Sequence, residues 1–402
     1  MPRKKILFVA EAVTLAHVGR PLALAGALDR EQYEVHFACA ERYGFAFEGA
    51  DLVRWPLHSI SNKQFLQALA DGKPVYDAAT LSGYVEQDLQ LLRQVQPDVV
   101  VGDFRLSLSV SARLAGVPYI SLINAYWSPY VDQKYIVPSL PLTRFLPIPL
   151  ANALFNLVRP LAFALHTIPL NKVRRQHGLA SLGWDLNRIY SDADYTLYAD
   201  VPDLFPPHDL PASHAFIGPV LWSPPLPVPD WWDQLPAERP LVYVTVGSSG
   251  QGALLPAVLQ ALAGLPVTVL AATVGMVKLA DVPDNARVAE FLPGEEAARR
   301  SALVICNGGS PTSHQALAAG VPVVGIAGNL DQFLNMQGIV AAGAGALLRA
   351  DRFDGAALKQ AVQGLLATPA ASAAARQLMV IFSNYRASEA FSKLLSKILT
   401  TP

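Results

Sequence analysis

The 402-residue chain has few charged residues, few cysteines and almost no net charge. Charged residues make up 16% of it and hydrophobic residues 52%, whereas the charged share of an average soluble domain is about 25%. Disordered chains are rich in charge and poor in apolar residues, so this composition excludes one. Lys and Arg number 31 against 32 Asp and Glu, which leaves no net positive field for a nucleic-acid backbone. We therefore expect a folded protein of two or three domains without a nucleic-acid partner.

Sequence patterns for disulfides and metal sites are also lacking. The two cysteines, Cys39 and Cys306, cannot form a disulfide framework, which favours a reducing, cytoplasmic location. The eight histidines are scattered and contain no His-x-x-x-His pair. We expect neither a metal nor a resident cofactor.

Long apolar runs without breaks are missing as well, although a membrane span needs about 20 such residues. The ranges 253–277 and 303–330 carry no charge, but glycines and prolines divide both into strand and helix segments. The basic N-terminus and the apolar stretch Ile6–Ala10 imitate a signal peptide, yet Glu11 interrupts the run. Uncharged stretches of this kind are typical of parallel strands that are buried on both faces.

The segment 136–170 is apolar, with Arg144 and Arg159 as its only charges, and it contains six prolines. Because proline interrupts helices, we predict short helices and turns here rather than one straight helix. Two interpretations stay open: a substructure that is buried against the sheet, or an apolar binding surface.

Strand and helix patterns alternate along both halves of the chain. This alternation predicts an α/β fold with two doubly wound, parallel-sheet (Rossmann-like) domains that face a cleft. We assign residues 1–218 to the first domain, the proline-rich 219–240 to a linker and 241–380 to the second domain. A helix over 381–402 is expected to cross back to the first domain. Predicted strands are Lys5–Ala10, Glu34–Ala38, Asp98–Val101, Tyr119–Ile123, Asp194–Tyr198, Leu241–Val246, Val267–Ala271, Arg287–Glu290, Leu303–Cys306 and Val321–Ile326.

The strongest motif, over residues 304–323, predicts a strand, a glycine turn and a helix. Gly308 and Gly309 let the backbone approach a ligand closely. Pro311 suits the first turn of a helix, and free N–H groups there, with the Thr312 hydroxyl, suit phosphate oxygens. An ordinary strand-to-helix turn is the alternative.

Two further loops are expected at the same edge of the second sheet. Gly247-Ser248-Ser249-Gly250 follows a predicted strand and precedes a helix, which makes it another phosphate-binding candidate. Asp331 and Gln332 follow the strand Val321–Ile326 and are suited to reading sugar hydroxyls. Asp331 is also a candidate N-cap of the next helix.

His17 and Asp103 each follow a predicted strand of the first half. A histidine takes up protons near neutral pH, and a neighbouring carboxylate would orient it and stabilise its charged form. A surface histidine and a helix-capping aspartate are the alternatives. Because no Gly-x-Ser-x-Gly nucleophile motif accompanies the pair, we infer that the substrate brings its own nucleophile, such as a hydroxyl.

Taken together, these motifs resemble those of a GT-B glycosyltransferase of the UDP-glycosyltransferase superfamily, nearest to bacterial natural-product (macrolide-type) enzymes. The resemblance rests on Asn-Gly-Gly-Ser-Pro-Thr from Asn307, on Gln-Ala-Leu-Ala-Ala-Gly-Val-Pro from Gln315 and on Asp331-Gln332 with Asn335. It implies an inverting enzyme in which His17, assisted by Asp103, deprotonates an acceptor hydroxyl. The donor-binding residues that it implies are Gly247, Ser248, Ser249, Phe291, Leu292, Asn307, Gly308, Gly309, Ser310, Thr312, Gln315, Asp331 and Gln332.

Two positions depart from the family pattern. The family usually has His where this chain has Asn307 and Glu where it has Gln315. Both changes remove a charge from contacts to the donor, and charge-assisted hydrogen bonds are about twice as strong as neutral ones. The nucleotide, UDP or TDP, and the sugar therefore stay open.

We expect transfer of a sugar from a nucleotide-diphosphate sugar to a hydroxyl of a hydrophobic small molecule. Tyr126, Trp127 and Tyr130, which precede the apolar segment, are the candidate acceptor-binding residues. One alternative is a lipid acceptor, with 136–170 in peripheral contact with the inner membrane face. Another is a non-catalytic helper or nucleotide-sugar sensor, since Asn307 and Gln315 replace family residues. The oligomeric state stays undetermined.

Overall fold

The computed structural model describes residues 3–224, 226–236, 238–247, 252–275 and 277–400. Backbone contacts divide the chain into two compact units. Unit 1 contains the residues up to Gln133, Ala153–Val220 and the residues from Tyr385 onward. Unit 2 contains Lys134–Asn152 and Leu221–Asn384.

A parallel sheet forms the centre of unit 1, with the strand order β3-β2-β1-β4-β5-β6-β7. Its register places Ile6 beside both Val35 and Val99, and Ala10 beside Asp103. The strands are β1 (Lys4–Ala10), β2 (Tyr33–Cys39), β3 (Val53–Pro56), β4 (Val99–Asp103), β5 (Tyr119–Ile123), β6 (Tyr195–Tyr198) and β7 (His214–Phe216). The helices over the same stretch are α1 (Ala16–Gly26), α2 (Asn62–Asp71), α3 (Ala78–Val95), α4 (Leu108–Ala115), α5 (Leu142–Phe145), α6 (Ile148–Gln176) and α7 (Leu186–Ser191).

The second sheet, in unit 2, is also parallel and has the order β10-β9-β8-β11-β12-β13. Its strands are β8 (Leu241–Thr245), β9 (Thr268–Ala272), β10 (Ala286–Ala289), β11 (Leu303–Cys306), β12 (Val323–Ala327) and β13 (Gly345–Arg349). The remaining helices are α8 (Leu255–Leu262), α9 (Gly294–Arg300), α10 (Ser310–Ala318), α11 (Leu330–Ala341), α12 (Gly355–Ala367), α13 (Pro369–Ser383) and α14 (Ala387–Thr400). In both sheets the strand order reverses direction beside the first strand of the unit, so the prediction of two doubly wound α/β domains is confirmed.

Uncharged apolar strands form the cores, as their composition predicts. β4, β5, β9 and β12 are buried along their whole length. Strand residues such as Val244 and Ile305 pack against α8 and α12 in unit 2. Strands that are covered on both faces need apolar side chains at every position, which explains the missing alternation of polar residues.

The prediction of short helices and turns over 136–170 is wrong for most of that segment. α6 runs continuously through Pro160 and Pro169, and Pro147 and Pro149 lie at its start. Each internal proline removes one backbone hydrogen bond, a loss that a 29-residue helix tolerates. Pro138 and Pro141 precede α6, in a part of the chain that belongs to unit 2.

The observed units differ from the expected domain bounds in two places. Lys134–Asn152 groups with unit 2, although we placed it in the first domain. The proline-rich stretch after Val220 also groups with unit 2, where Trp232 is buried and Arg300 stacks over its ring at 5.0 Å. α14 lies within the range 381–402 that we expected to return to the first domain, and it groups with unit 1, where the Phe391 ring lies 5.8 Å from that of Phe8.

Among the described residues, α6 is long and apolar enough to cross a membrane. α12 together with the helices over Pro369–Thr400 would be a second candidate if this bent pair formed one span. Only 6% of the most apolar stretch of α6 is buried. One or two helices of this kind are weak evidence for a membrane span.

Candidate active site

His17 and Asp103, which lie 86 positions apart, are hydrogen-bonded to each other in unit 1. His17 lies in the first turn of α1 and Asp103 is the last residue of β4. The His17 Nδ1 atom is 2.7 Å from Asp103 Oδ1. The Asp103 side chain is fully buried, whereas 20% of the His17 side chain is exposed. The pairing leaves His17 Nε2 as the ring nitrogen that can receive a proton from a substrate.

Arg20, which the sequence analysis missed, shares the Asp103 carboxylate with His17. Its Nε and Nη2 atoms donate to the two carboxylate oxygens at 3.1 and 2.9 Å, and Nη2 lies 3.4 Å from His17 Nδ1. Arg20 also donates to Asn124, whose amide in turn donates to the buried Asp200. Burial by itself would lower the pKa of Arg20, but the carboxylates of Asp103 and Asp200 raise it. The spacing of His17 and Arg20, one helical turn apart, was the available sequence signal.

A buried ion cluster holds the loop that follows β4. Arg105, fully buried, pairs with Glu11 at 2.9 Å and with Asp88 at 3.0 Å, and its guanidinium lies 3.6 Å from the centre of the Tyr84 ring. Burial raises the pKa of Glu11, while Arg105 opposes that rise. Buried charges are tolerated only when they are paired in this way. The cluster anchors the chain two residues from Asp103.

Phe104 links the histidine to a pocket with mainly apolar walls. It adopts the left-handed conformation with φ 57°, and its ring stacks on that of His17 at 4.9 Å between ring centres. Most of the residues that line this pocket belong to the loop before α3, to α6 and to α7. The pocket is lined by Phe104 together with Tyr76, Leu106, Leu170, Ile189 and Tyr190 and a few neighbours.

The three predicted acceptor-binding aromatics lie at different distances from this pocket. Trp127 packs edge-on against the pocket residue Tyr190, with the ring centres 5.1 Å apart. Tyr126 is fully buried, and Tyr130 packs on His214 instead, at 5.0 Å. The structure therefore brings Trp127 to the pocket and keeps Tyr126 in the core, and the acceptor role of all three stays a prediction.

In unit 2, the predicted donor-binding loops follow adjacent strands. β8, β11 and β12 are neighbours in one parallel sheet, so Gly247, Asn307 and Asp331 leave it at the same edge. Gly247 has φ 65°, and a Cβ built on it would lie 2.6 Å from Asn307 Nδ2, so glycine permits this approach. Ser248 and Ser249 lie outside the described residues.

The glycine turn after β11 is held from two sides. Gly308 has φ 84°, and a Cβ there would lie 2.8 Å from Met336 Cγ, so only glycine fits. Asn335 donates to the Gly308 carbonyl at 2.8 Å and to Ser313 Oγ at 2.9 Å. Asn307 Oδ1 accepts from the N–H of Gly309, the N-cap of α10, which has no side-chain cap. The start of α10, with Ser310 in its first position and Thr312 two residues later, is thus oriented for an anionic group.

Asp331 and Gln332 both lie in the first turn of α11, and Gln332 takes part in capping that helix. The N-cap is Asn329 rather than Asp331, and it forms a capping box in which Gln332 Oε1 accepts from the N–H groups of Gly328 and Asn329. Gln332 is only 2% exposed, whereas Asp331 is partly exposed in the first turn. The geometry commits the Gln332 oxygen to the helix start, and the sugar-binding role of both residues stays a prediction.

Gln315 contacts the chain that enters unit 2. Its Nε2 donates to the Trp222 carbonyl at 2.8 Å and to Ser223 Oγ at 3.0 Å, and the residue is 8% exposed.

Phe291 follows β10 with 37% of its surface exposed, while Leu292 is buried. Among the described residues, no group of three or more His, Cys, Asp or Glu side chains is arranged to hold a metal ion.

The two doubly wound units, one with a His–Asp pair and one with a glycine turn at a helix start, define a GT-B glycosyltransferase. The family of the erythromycin biosynthesis protein CIII-like C-terminal domain matches residues 257–387. The chain is 53% identical over 380 residues to a PGL/p-HBAD biosynthesis glycosyltransferase of Mycobacterium tuberculosis (strain ATCC 25177 / H37Ra), with 94% of this chain and 89% of that one covered. The chain belongs to the glycosyltransferase family of this relative, within the UDP-glycosyltransferase superfamily.

A second relative and one solved structure are also glycosyltransferases. A PGL/p-HBAD biosynthesis rhamnosyltransferase of Mycobacterium bovis (strain BCG / Pasteur 1173P2) is 54% identical over 384 residues, which cover 96% of this chain and 85% of that one. The spinosyn rhamnosyltransferase SpnG superposes with a TM-score of 0.71 at 22% identity and covers 98% of this chain and 100% of its own. It has also been solved with thymidine diphosphate and with spinosyn aglycone. The chain is thus an enzyme that transfers sugar from a nucleotide sugar.

Proposed function

We propose that this enzyme inverts the anomeric centre while it moves a hexose or deoxyhexose from a nucleotide-diphosphate sugar to a hydroxyl of an apolar acceptor. The observation that carries the proposal is the 2.7 Å bond between His17 Nδ1 and Asp103 Oδ1. It orients the ring so that Nε2 accepts the hydroxyl proton, while the buried carboxylate stabilises the imidazolium that forms.

The proposed reaction is a single displacement. The acceptor oxygen forms a bond to the anomeric carbon as the bond from that carbon to the diphosphate oxygen breaks, and the proton passes to His17 Nε2. The diphosphate carries away the bonding electrons. The N–H groups and dipole at the start of α10, with the Thr312 hydroxyl, stabilise its charge.

For the nucleotide we propose TDP, with UDP as the alternative. Support comes from SpnG, which has been solved with thymidine diphosphate. The sugar is less constrained, because the chain is 53% identical to a relative named only as a glycosyltransferase and 54% identical to a rhamnosyltransferase. We place the reaction in the same kind of biosynthesis as these relatives, PGL/p-HBAD. A reducing, intracellular location fits the two free thiols.

We propose the pocket beside Phe104 as the acceptor site. Phe104 stacks on His17, and the side chains of Tyr76, Ile189 and Tyr190 offer aromatic and aliphatic walls to an apolar molecule. The cavity is only about 20 Å³, room for about one water molecule, so an acceptor would have to displace some of these side chains to bring its hydroxyl near the ring that removes the proton.

The test is His17→Gln, assayed with a panel of TDP- and UDP-sugars and hydroxylated aromatic acceptors. Loss of a general base typically costs about 10²–10⁴ in rate, so we expect kcat to fall by that factor while TDP binding, measured by calorimetry, stays within about twofold. His208→Gln, at a half-exposed histidine, is the matched control and keeps full activity. Transfer by His17→Gln at the wild-type rate would exclude His17 as the base.

A further inference from the structure

An apolar stripe runs along the exposed side of α6 in unit 1. Its six members are spaced three or four residues apart, with one adjacent pair, and at about 100° per residue they fall within about 60° of one line on the helix. Each is at least 40% exposed, and Leu157 reaches 79%. We define the stripe as Leu154, Leu157, Val158, Leu161, Leu165 and Ile168.

The opposite side of α6 packs on the core of unit 1. Leu170 and Val173 are buried in a cluster with Val85 and Ile189, and Phe163 packs against it. A helix that crosses a bilayer as a single-pass anchor is surrounded by lipid on all sides, whereas α6 is held to the core of unit 1 through its C-terminal half, from Phe163 to Val173. Only the exposed side of α6 is therefore available to a partner, as in a helix that lies in the plane of a membrane surface.

Within the segment of chain that contains the stripe, charge has one sign. No Asp or Glu occurs from residue 133 to residue 184. Lys172 and Arg175, both exposed, continue the same helical line beyond Ile168 by the same three- and four-residue steps. An apolar stripe that ends in two cations matches the boundary between acyl chains and anionic headgroups, because long basic side chains reach from the apolar layer to the phosphates.

A tryptophan lies close to the cationic end. Asn171 donates to the Gly183 carbonyl at 2.8 Å and accepts from the Leu182 N–H at 2.8 Å, which holds that loop against the last turns of α6. Trp184, the next residue, is 69% exposed. Tryptophan is enriched at the headgroup level of membranes, where its ring meets both apolar and polar surroundings.

We infer that the stripe, with Lys172, Arg175 and Trp184, docks the protein on an anionic lipid bilayer. Resting on the proposed function, docking would bring the enzyme to the surface in which an apolar acceptor dissolves. The binding itself requires no nucleotide sugar.

The experiment is co-sedimentation of the full chain with vesicles of phosphatidylcholine, with and without 30 mol% phosphatidylglycerol, in the absence of substrate. We expect binding to the anionic vesicles and weaker binding to the neutral ones. Each cation near an anionic surface contributes about 1 kcal/mol, so Lys172→Gln with Arg175→Gln should weaken anionic binding by about 30-fold and leave neutral binding unchanged.

The triple change Leu157→Gln, Leu161→Gln and Leu165→Gln should abolish binding to both kinds of vesicle. Leu114→Gln, Val340→Gln and Val380→Gln, at exposed helical positions elsewhere, form the matched control and should bind like the wild type. Circular dichroism and a TDP-induced rise in Tm check that each variant is folded.

Two results would overturn the inference. One is a wild-type chain that stays in the supernatant with anionic vesicles. The other is a wild-type dimer that the stripe variant converts to monomer while vesicle binding is absent in both, which would assign the stripe to a second copy. Neither result depends on sugar transfer, so a failure of the proposed function is detected separately, by the His17→Gln assay.

Discussion

At the scale of single residues, one carboxylate holds two side chains, those of His17 and Arg20. Asp103 accepts from Arg20 through both oxygens while His17 Nδ1 lies 2.7 Å from one of them. The two hydrogen bonds from Arg20 fix the carboxylate in the orientation in which it meets the imidazole. We therefore interpret Arg20 as a positioning residue that holds Asp103 against His17.

Arg20→Met should lower kcat by about 10- to 100-fold and leave the KM of the nucleotide sugar within about twofold. Without the guanidinium, Asp103 loses the two hydrogen bonds that hold it against His17. The measurement is steady-state kinetics in which the donor and the acceptor are varied in turn.

Arg20→Lys is the matched comparison, because it keeps the charge but not the bidentate fork, and its kcat should lie between those of the wild type and of Arg20→Met. A Met variant with the wild-type kcat, or one in which KM and kcat change together, would contradict a positioning role for Arg20.

At the scale of elements, the chain before α6 is held to unit 2 by polar contacts. Arg349, at the end of β13, donates to the Val137 carbonyl at 2.7 Å and pairs with Asp351 at 3.0 Å. Thr143 Oγ1 donates to Asp351, and Arg352 donates to the Thr143 carbonyl at 2.7 Å. These bonds explain why Lys134–Asn152 groups with unit 2 although it lies between two strands of the first sheet.

Asp351→Asn should lower the free energy of unfolding by about 1–3 kcal/mol at pH 7, since charged hydrogen bonds contribute about that much. Burial alone would raise the pKa of Asp351, but hydrogen bonds from Arg349 and Thr143 hold that pKa below the ordinary aspartate value of 3.8. A depressed carboxyl pKa stabilises the fold above 3.8, and this stabilisation is lost as the pH falls through the folded-state value. Urea unfolding at pH 7 and below pH 3.8 measures the difference, which should shrink in acid.

Asp132→Asn, at a fully exposed carboxylate, serves as the control and should change the unfolding midpoint at neither pH. If Asp351→Asn unfolds like the wild type at pH 7, the Arg349 contacts do not stabilise the segment.

At the scale of the whole molecule, each unit contains one buried thiol. Cys39 ends β2 in unit 1 and Cys306 ends β11 in unit 2, and both are free. Burial raises the pKa of Cys39 to about 11, against the opposing charges of Arg54 and Arg42, and raises the pKa of Cys306 to about 12. Since the thiolate is the reactive form, both thiols should react only when their unit opens.

TDP should therefore protect the two thiols unequally. If the nucleotide binds at α10 in unit 2, a concentration 100 times Kd should slow labelling of Cys306 by up to about 100-fold and leave Cys39 almost unchanged. Labelling by a disulfide reagent at pH 8, read by mass spectrometry of peptides, measures both rates in one sample.

Single-thiol variants, Cys39→Ala and Cys306→Ala, identify which rate belongs to which cysteine. Equal protection of both thiols would contradict separate opening of the units, and protection of Cys39 alone would move the nucleotide site to unit 1.

The strands, the glycine turns and the residues at strand ends depend mainly on local sequence, so the sequence alone predicts them. Uncharged apolar stretches form buried strands, and glycine at positions such as Gly308 marks a turn that tolerates no side chain. His17 and Asp103 are recognisable because each follows a strand, and parallel strands bring such positions to one edge of a sheet.

Only the tertiary structure decides which distant side chains become partners and which faces stay exposed. Whether Arg20 reaches Asp103, and whether Gln332 caps its own helix, depends on register and packing between elements that the local pattern does not encode. The prolines of 136–170 predict breaks, yet the packing of one face of α6 on unit 1 keeps the helix continuous and leaves its apolar stripe exposed. Local chemistry sets the elements, and the free energy of burying one face rather than another sets what each element presents to a ligand.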